Sequence, residues 1–279
     1  MIDLLIEPFS YQYMTRAITI AALVGGTCAF LSSFLVLKGW SLMGDALAHA
    51  VVPGVALAYI LGLPYALGAF FSGVFAALSM VFVKQKTKLR EDAVIGLVFT
   101  TFFAIGLLLV SINPVAVNIQ AIILGDILSI SDYDSMQIIL ISVICLLCLC
   151  VKWKDFMIVF FDEKNAHSLG LNTLAIKIFF FTLLSATTVA TLQTVGACLV
   201  IAMVVTPGAT AYLLTDRFGH LICISVLTGT ITSGLGAYTS YFIDTNTGGL
   251  IVCFQTILFL FALYFSPKYG LLYRKGEAV

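Results

Sequence analysis

Long apolar runs, separated by short polar or turn-forming stretches, occupy nearly the whole chain. They fall at about 15–38, 41–62, 65–84, 91–112, 134–153, 174–193, 195–215, 218–242 and 247–266. Each run is close to the ~20 residues that a helix needs to cross a hydrocarbon core about 30 Å thick. Lipid offers no partners to backbone N–H and C=O groups, so such segments must be helices that satisfy themselves. The pattern predicts an all-α membrane bundle of eight or nine spans, forming one domain over residues 1–279. The run at 41–62 is the least regular, because Asp45, His49 and Pro53 interrupt it. A further apolar stretch, 114–130, is broken by Asn118, Gln120, Gly125 and Asp126 and reads as a short re-entrant or interfacial helix.

Composition excludes the main alternatives. Of 279 residues, 61 % are hydrophobic and 10 % charged, against roughly half and a quarter in ordinary soluble domains. A soluble globule of this size cannot hide that much apolar surface. The charges balance at 14 basic and 14 acidic, so nothing favours a nucleic-acid partner. The seven cysteines all lie within apolar runs and read as packing residues rather than a disulfide framework. Cys145, Cys148 and Cys150 resemble a soft-metal cluster, but no histidine or carboxylate accompanies them on that run. Residues 1–13 carry Asp3 and Glu7 without lysine or arginine. That is unlike a signal peptide, and the segment is expected to remain in the mature chain.

Basic residues in short loops orient a polytopic chain. Lys84, Lys86, Lys88 and Arg90 crowd one loop; Lys152, Lys154 and Lys164 flank another; Arg217 follows the seventh run, and Lys268, Arg274 and Lys275 come last. The intervening loops carry Asp126, Asp132, Asp134 and Asp244. The basic set is therefore expected in the cytoplasm. Nine crossings then put the N-terminus outside, and eight put it inside.

Ionisable groups inside apolar runs are costly and point to function. Asp45 and His49 are spaced i, i+4, so one helix presents both on the same side. A helix entering at Lys38 would carry them ~10 and ~16 Å deep. Carboxylate and imidazole suit Mn²⁺, Fe²⁺ or Zn²⁺; they equally suit a proton relay, or mutual satisfaction in a packed bundle. Two ligands are too few for a metal, and a two-fold second copy would double them. The stretch Phe161–Leu171 starts acidic, with Asp162 and Glu163, has Ala166 in its middle and Gly170 at its close. It reads as a short capped helix, either solvated in a loop or docked on a partner. Gln193 and Pro207 bracket a segment where proline disturbs helical bonding, either as a kink or as a gate. No Gly-x-x-x-x-Gly-Lys-Ser/Thr loop is present, so ATP hydrolysis by that route is excluded for this chain.

Four stretches resemble the permeases of manganese, zinc and iron ABC importers: Leu37–Ala56 with Lys38-Gly39-Trp40 and Leu42-Met43-Gly44-Asp45, Arg90–Gly96, Asp162–Gly170 and Gly196–Ala211. The wording is most similar to the manganese and chelated-iron branch. The resemblance implies a permease dimer, of identical or paired subunits, in a bacterial cytoplasmic membrane. It further implies two cytoplasmic ATPase subunits, an extracytoplasmic metal-binding protein, and alternating access without a permanent cofactor. By position, Asp45 and His49 would hold the transported ion, Mn²⁺ favoured. Asp162, Glu163, Ala166 and Gly170, within a coupling segment at 155–172, would seat on the ATPase. A proton-coupled carrier and a non-conducting scaffold are the competing classes.

Overall fold

The computed structural model describes residues 2–112, 125, 127, 128 and 130–266, and among these there is no strand. The helices are α1 (Ile2–Ser10), α2 (Gln12–Lys38), α3 (Met43–Ala50), α4 (Val52–Leu61), α5 (Tyr65–Lys86) and α6 (Glu91–Ile112), followed by α7 (Asp132–Phe161), α8 (Glu163–Ser168), α9 (Thr173–Val195), α10 (Ala197–Leu214), α11 (Phe218–Ile243) and α12 (Thr247–Phe265). Eight segments are long and apolar enough to cross a membrane, with Met43–Leu61 counted as one of them. The shorter α10 contributes a further apolar stretch, Leu199–Leu214, and its 18 residues rise about 27 Å. The re-entrant helix expected at 114–130 lies almost entirely outside the described residues.

The bundle is organised around α2, whose residues from Val24 to Leu35 are continuously buried. Lipid supplies no hydrophobic drive between helices, so close approach of small residues does the work. A Cβ placed on Gly25 would stand 2.7 Å from the carbonyl oxygen of Gly229, and one on Gly229 would stand 2.6 Å from that of Gly25. The backbones of α2 and α11 therefore touch there, and Ser225 of α11 donates to the carbonyl of Ala29 at 2.6 Å. On another side α2 meets α10 at Pro207. Proline brings no N–H to the helical ladder, yet α10 continues through it. Ser32 of α2 supports the join: its hydroxyl accepts from the N–H of Gly208 at 2.9 Å and donates to the carbonyl of Val205 at 3.0 Å.

The two ends of the bundle differ chemically. At one end Arg16, early in α2, pairs with Asp132 at the start of α7, and Tyr241 of α11 donates to Glu7 of α1 at 3.2 Å. At the other end Lys38 closes α2 and donates to the carbonyl of Phe160 at 2.8 Å, with Lys84 and Lys177 nearby around one cavity. The start of α2 thus shares the acidic end with the start of α7 and the end of α11. Between the start of α7 and the end of α11, this places α10 as a run from the acidic end of the bundle to the basic one.

The irregular run at 41–62 is two helices, not one. Gly39 leaves α2 in the left-handed conformation (φ 74°), with its N–H returned to the carbonyls of Leu35 and Val36. Helix α3 then begins afresh at Met43, and a turn at Val51 separates it from α4. Pro53, in the first turn of α4, deprives the carbonyl of His49 of its usual partner four residues on. Ser72 of α5 donates to the neighbouring carbonyl of Ala50 at 2.7 Å. Gly106 lets α6 lie against the join, since a Cβ there would stand 3.0 Å from the nitrogen of Pro53.

Candidate functional site

Asp45 stands in the first turn of α3 and His49 in the last. The His49 Nε2 lies 3.4 Å from Asp45 Oδ1, with side-chain exposures of 29 % and 36 %. The i, i+4 expectation of a shared face is met. Helix α2 stops at Lys38 and α3 starts at Met43, so Asp45 and His49 stand about 3 and 9 Å along α3.

The remaining faces of α3 fix the pair in place. Leu47 and Ala50 are fully buried, and Met43, Ala46 and Ala48 nearly so. Gly44 faces α10, where a Cβ would stand 3.1 Å from Val204 Cγ1. The imidazole of His49 meets two rings of α6 edge-on, Phe99 at 5.5 Å and Phe103 at 5.4 Å between centroids. These two rings are themselves stacked at 6.0 Å. One side of the imidazole is thus walled by aromatic carbon, while its nitrogen is turned toward Asp45. Among the described residues no third His, Cys, Asp or Glu joins them as a metal-binding group. The pair offers two donors whose chemistry suits a transition metal, held by the packed faces of α3 and partly open.

The second expected feature, Asp162–Gly170, forms helix α8. Asp162 caps it by accepting from the N–H of Asn165 at 2.9 Å. Gly170 closes it at φ 77°, and the N–H of Leu171 returns to the carbonyl of Ala166 at 3.1 Å. Ala166 is fully buried, whereas Lys164, His167 and Ser168 are exposed. Small, buried alanine lets the helix lie flat on the bundle. Glu163 accepts from Lys177 of α9 at 2.6 Å. That bond holds the Glu163 carboxyl below the usual carboxylate range, against an opposing push from partial burial, and the positive charge of Lys177 adds to it.

Gln193 lies in the last turns of α9 with its Oε1 buried and without a hydrogen-bond partner. Pro207 is buried inside α10 at the Ser32 join. The two lie on different helices, and neither adjoins α3 through any described hydrogen bond.

Sequence reading missed a cluster beside α3. Trp40, in the loop before it, donates from Nε1 to Glu91 Oε2, at the start of α6. The indole packs on Phe160 and Phe181, each at 5.4 Å between centroids, and the ammonium of Lys38 lies 5.9 Å from its centre. Lys84 approaches the other Glu91 oxygen at 3.8 Å. The available signal was an indole and a carboxylate in two short motifs, Lys38-Gly39-Trp40 and Arg90-Glu91-Asp92, 51 residues apart.

The chain is similar to known proteins over nearly its whole length. A model described as the ABC 3 transport family matches residues 10–266. The "Chelated iron transport system membrane protein YfeC" of Yersinia pestis is 62 % identical over 272 residues, spanning 98 % of this chain and 92 % of that one. The "Manganese transport system membrane protein MntB" of a Synechocystis strain is 48 % identical over 271 residues, spanning 96 % and 88 %. Among solved structures, "PsaBC from Streptococcus pneumoniae in complex with Fab" aligns with a TM-score of 0.85 and 32 % identity, over 99 % of this chain and 100 % of that one.

Proposed function

The chain belongs to the ABC 3 transport family, and from that membership and the geometry of α3 we propose that it is the permease subunit of an ATP-driven importer for a divalent transition metal. The observation that carries the reading is the Asp45–His49 pair, 3.4 Å apart and about one-third exposed within an otherwise apolar span. A carboxylate oxygen and an imidazole nitrogen match Mn²⁺, Fe²⁺ or Zn²⁺. The relatives named for iron and manganese transport support Mn²⁺ or Fe²⁺ as the cargo. The partial exposure of both side chains supports completion of the site by a second permease subunit about a two-fold axis.

In this reading the basic end faces the cytoplasm of a bacterium, following the distribution of lysine and arginine. The ion arrives from the acidic side, delivered by an extracytoplasmic binding protein, and exchanges its water for Asp45 and His49 of two subunits. Helix α8, capped by Asp162 and closed by Gly170, seats on a cytoplasmic ATPase through its exposed face. Closure of the two ATPases moves α8 and opens the site to the other side, which is alternating access. The chain itself supplies no hydrolysis. Gln193 and Pro207 stand on α9 and α10, whose relative movement would gate the passage.

Uptake in proteoliposomes tests this. The permease, reconstituted with its ATPase and binding-protein partners, is expected to accumulate Mn²⁺ or Fe²⁺ only with ATP. Asp45→Ala and His49→Ala each are expected to abolish accumulation while the complex still assembles. Wild-type rates in both variants would refute the site. Uptake without ATP that collapses with the proton gradient would instead show a secondary carrier.

A further inference from the structure

The Trp40 cluster joins the two halves of the proposed machine. On one side stands helix α8. Its Glu163 is bound to Lys177 of α9 at 2.6 Å, and one turn along α9 Phe181 packs on the indole of Trp40. The end of α7, which leads directly into α8, brings Phe160 edge-on against the same indole, and Lys38 holds the carbonyl of Phe160 at 2.8 Å. On the other side stands α3. Trp40 is three residues before its first residue, and the carbonyl of Trp40 accepts from the N–H of Met43 at 3.0 Å. The indole N–H grips Glu91, the first residue of α6, and two and three turns along α6 the rings of Phe99 and Phe103 flank His49.

Beyond its attachment to the end of α2, where its N–H donates to the carbonyl of Leu35 at 2.8 Å, Trp40 thus has ring contacts leading toward α8 and an indole N–H and carbonyl leading toward the elements around the Asp45–His49 pair. The indole is half-buried and borders a cavity of about 310 Å³ lined also by Lys38, Glu91, Glu163 and Lys177. A rigid ring with packed faces, one directional bond and free space beside it can shift as a unit when α7 and α9 move. A side chain surrounded on all sides by close-packed atoms could not.

We propose that Trp40, gripped by Glu91, is the positioning residue that converts displacement of α8 into displacement of α3 and α6 around the transported ion. The proposal rests on the importer reading above. Trp40 touches no cargo; it acts through α3 and α6. Coupling between two sites is a free energy, so loss of the Trp40–Glu91 bond should weaken the transfer of motion without removing either the metal ligands or the ATPase contact.

The experiment uses the complete complex in proteoliposomes, with Mn²⁺ as the probe, and measures Mn²⁺ imported per ATP hydrolysed. Trp40→Phe keeps a ring and removes the N–H; Glu91→Leu keeps a side chain of similar bulk and removes the acceptor. Each is expected to retain ATP hydrolysis but to lower Mn²⁺ per ATP by about tenfold, the scale of one hydrogen bond to a charged group. The double variant should be no worse than either single one, because both remove the same bond. An unchanged ratio in both singles overturns the proposal, and so does additive loss in the double. Failure of both variants to assemble also overturns it, because the bond would then serve folding alone. Asp45→Ala in the same assay separates the two claims. If that variant imports normally, or if the wild-type complex shows no ATP-driven uptake, the importer reading itself has failed.

Discussion

Replacing Ser32 by alanine removes one hydroxyl that two helices share. In α2 that hydroxyl is fully buried, and it links to α10 on either side of Pro207 by bonds of 2.9 and 3.0 Å. The alanine variant leaves the Gly208 N–H without this acceptor, and the Val205 carbonyl without this donor. An orphaned buried polar group costs about 1–3 kcal/mol, while side-chain bonds between membrane helices average nearer ~0.6 kcal/mol because an unfolded chain in lipid finds other partners. The backbone N–H beside a proline has few other partners, so the expected loss is about 2 kcal/mol. For a chain of this size that corresponds to a fall of roughly 4–8 °C in the melting midpoint. The assay is thermal unfolding of the purified protein in one detergent at one scan rate, since such unfolding is a rate as well as an equilibrium. Ser33→Ala is the internal reference. Ser33 is equally buried, but its hydroxyl only returns to the carbonyl of Ala29 in its own helix at 3.2 Å, and its loss should stay within ~0.5 kcal/mol. Equal midpoints for the two variants would refute the argument that Ser32 supports the proline in α10.

Three further outcomes are expected. Gly54→Val should destabilise by about 3 kcal/mol or more, because overpacking at a helix crossing cannot relax; a Cβ there would stand 2.5 Å from Ser72 Cβ and 2.7 Å from the carbonyl carbon of Gly68, and size-exclusion profiles in detergent will report it. The Glu163–Lys177 bond should persist at neutral pH and weaken only as pH falls through the lowered pKa of Glu163, since a carboxylate with a depressed pKa contributes above its unfolded value and loses that contribution in acid. Lys177→Met should therefore lower the thermal midpoint of the purified protein at neutral pH and leave it close to the original in acid, and equal midpoints at neutral pH would contradict the assignment. Phe103→Ala should free one side of the His49 ring and raise the Mn²⁺ concentration for half-maximal uptake severalfold with little change in thermal midpoint; an unchanged uptake curve would show that the aromatic wall does not orient the imidazole.

Composition and period made the helical membrane bundle legible, because lipid leaves a chain so few choices. The Asp45–His49 pair was legible too, since i, i+4 spacing is local and the surrounding apolarity made the two residues conspicuous. The separation of α3 from α2 and α4 was not. Gly39 and Pro53 are visible in the sequence, but both are compatible with a loop, a kink or an uninterrupted span. Which one forms depends on Trp40, Ser72 and Gly106, contacts made by other parts of the chain. Trp40 and Glu91 were noticed as motif residues and given no role, since an indole N–H finding a carboxylate 51 residues away leaves no periodic trace. The same holds for Ser32, which in sequence is one of two adjacent serines and in space is the only one of that pair bonded to α10.

The central place of α2 also has a consequence in time. Its closest partners lie far downstream: Ser32 bonds to residues 173 and 176 positions later, and the carbonyl of Ala29 to one 196 positions later. At ordinary rates of synthesis that gap is roughly 10–40 s. Throughout it, Ser32 and the carbonyl of Ala29 wait for these partners, so this part of the seam of α2 is completed only when α10 and α11 have been made.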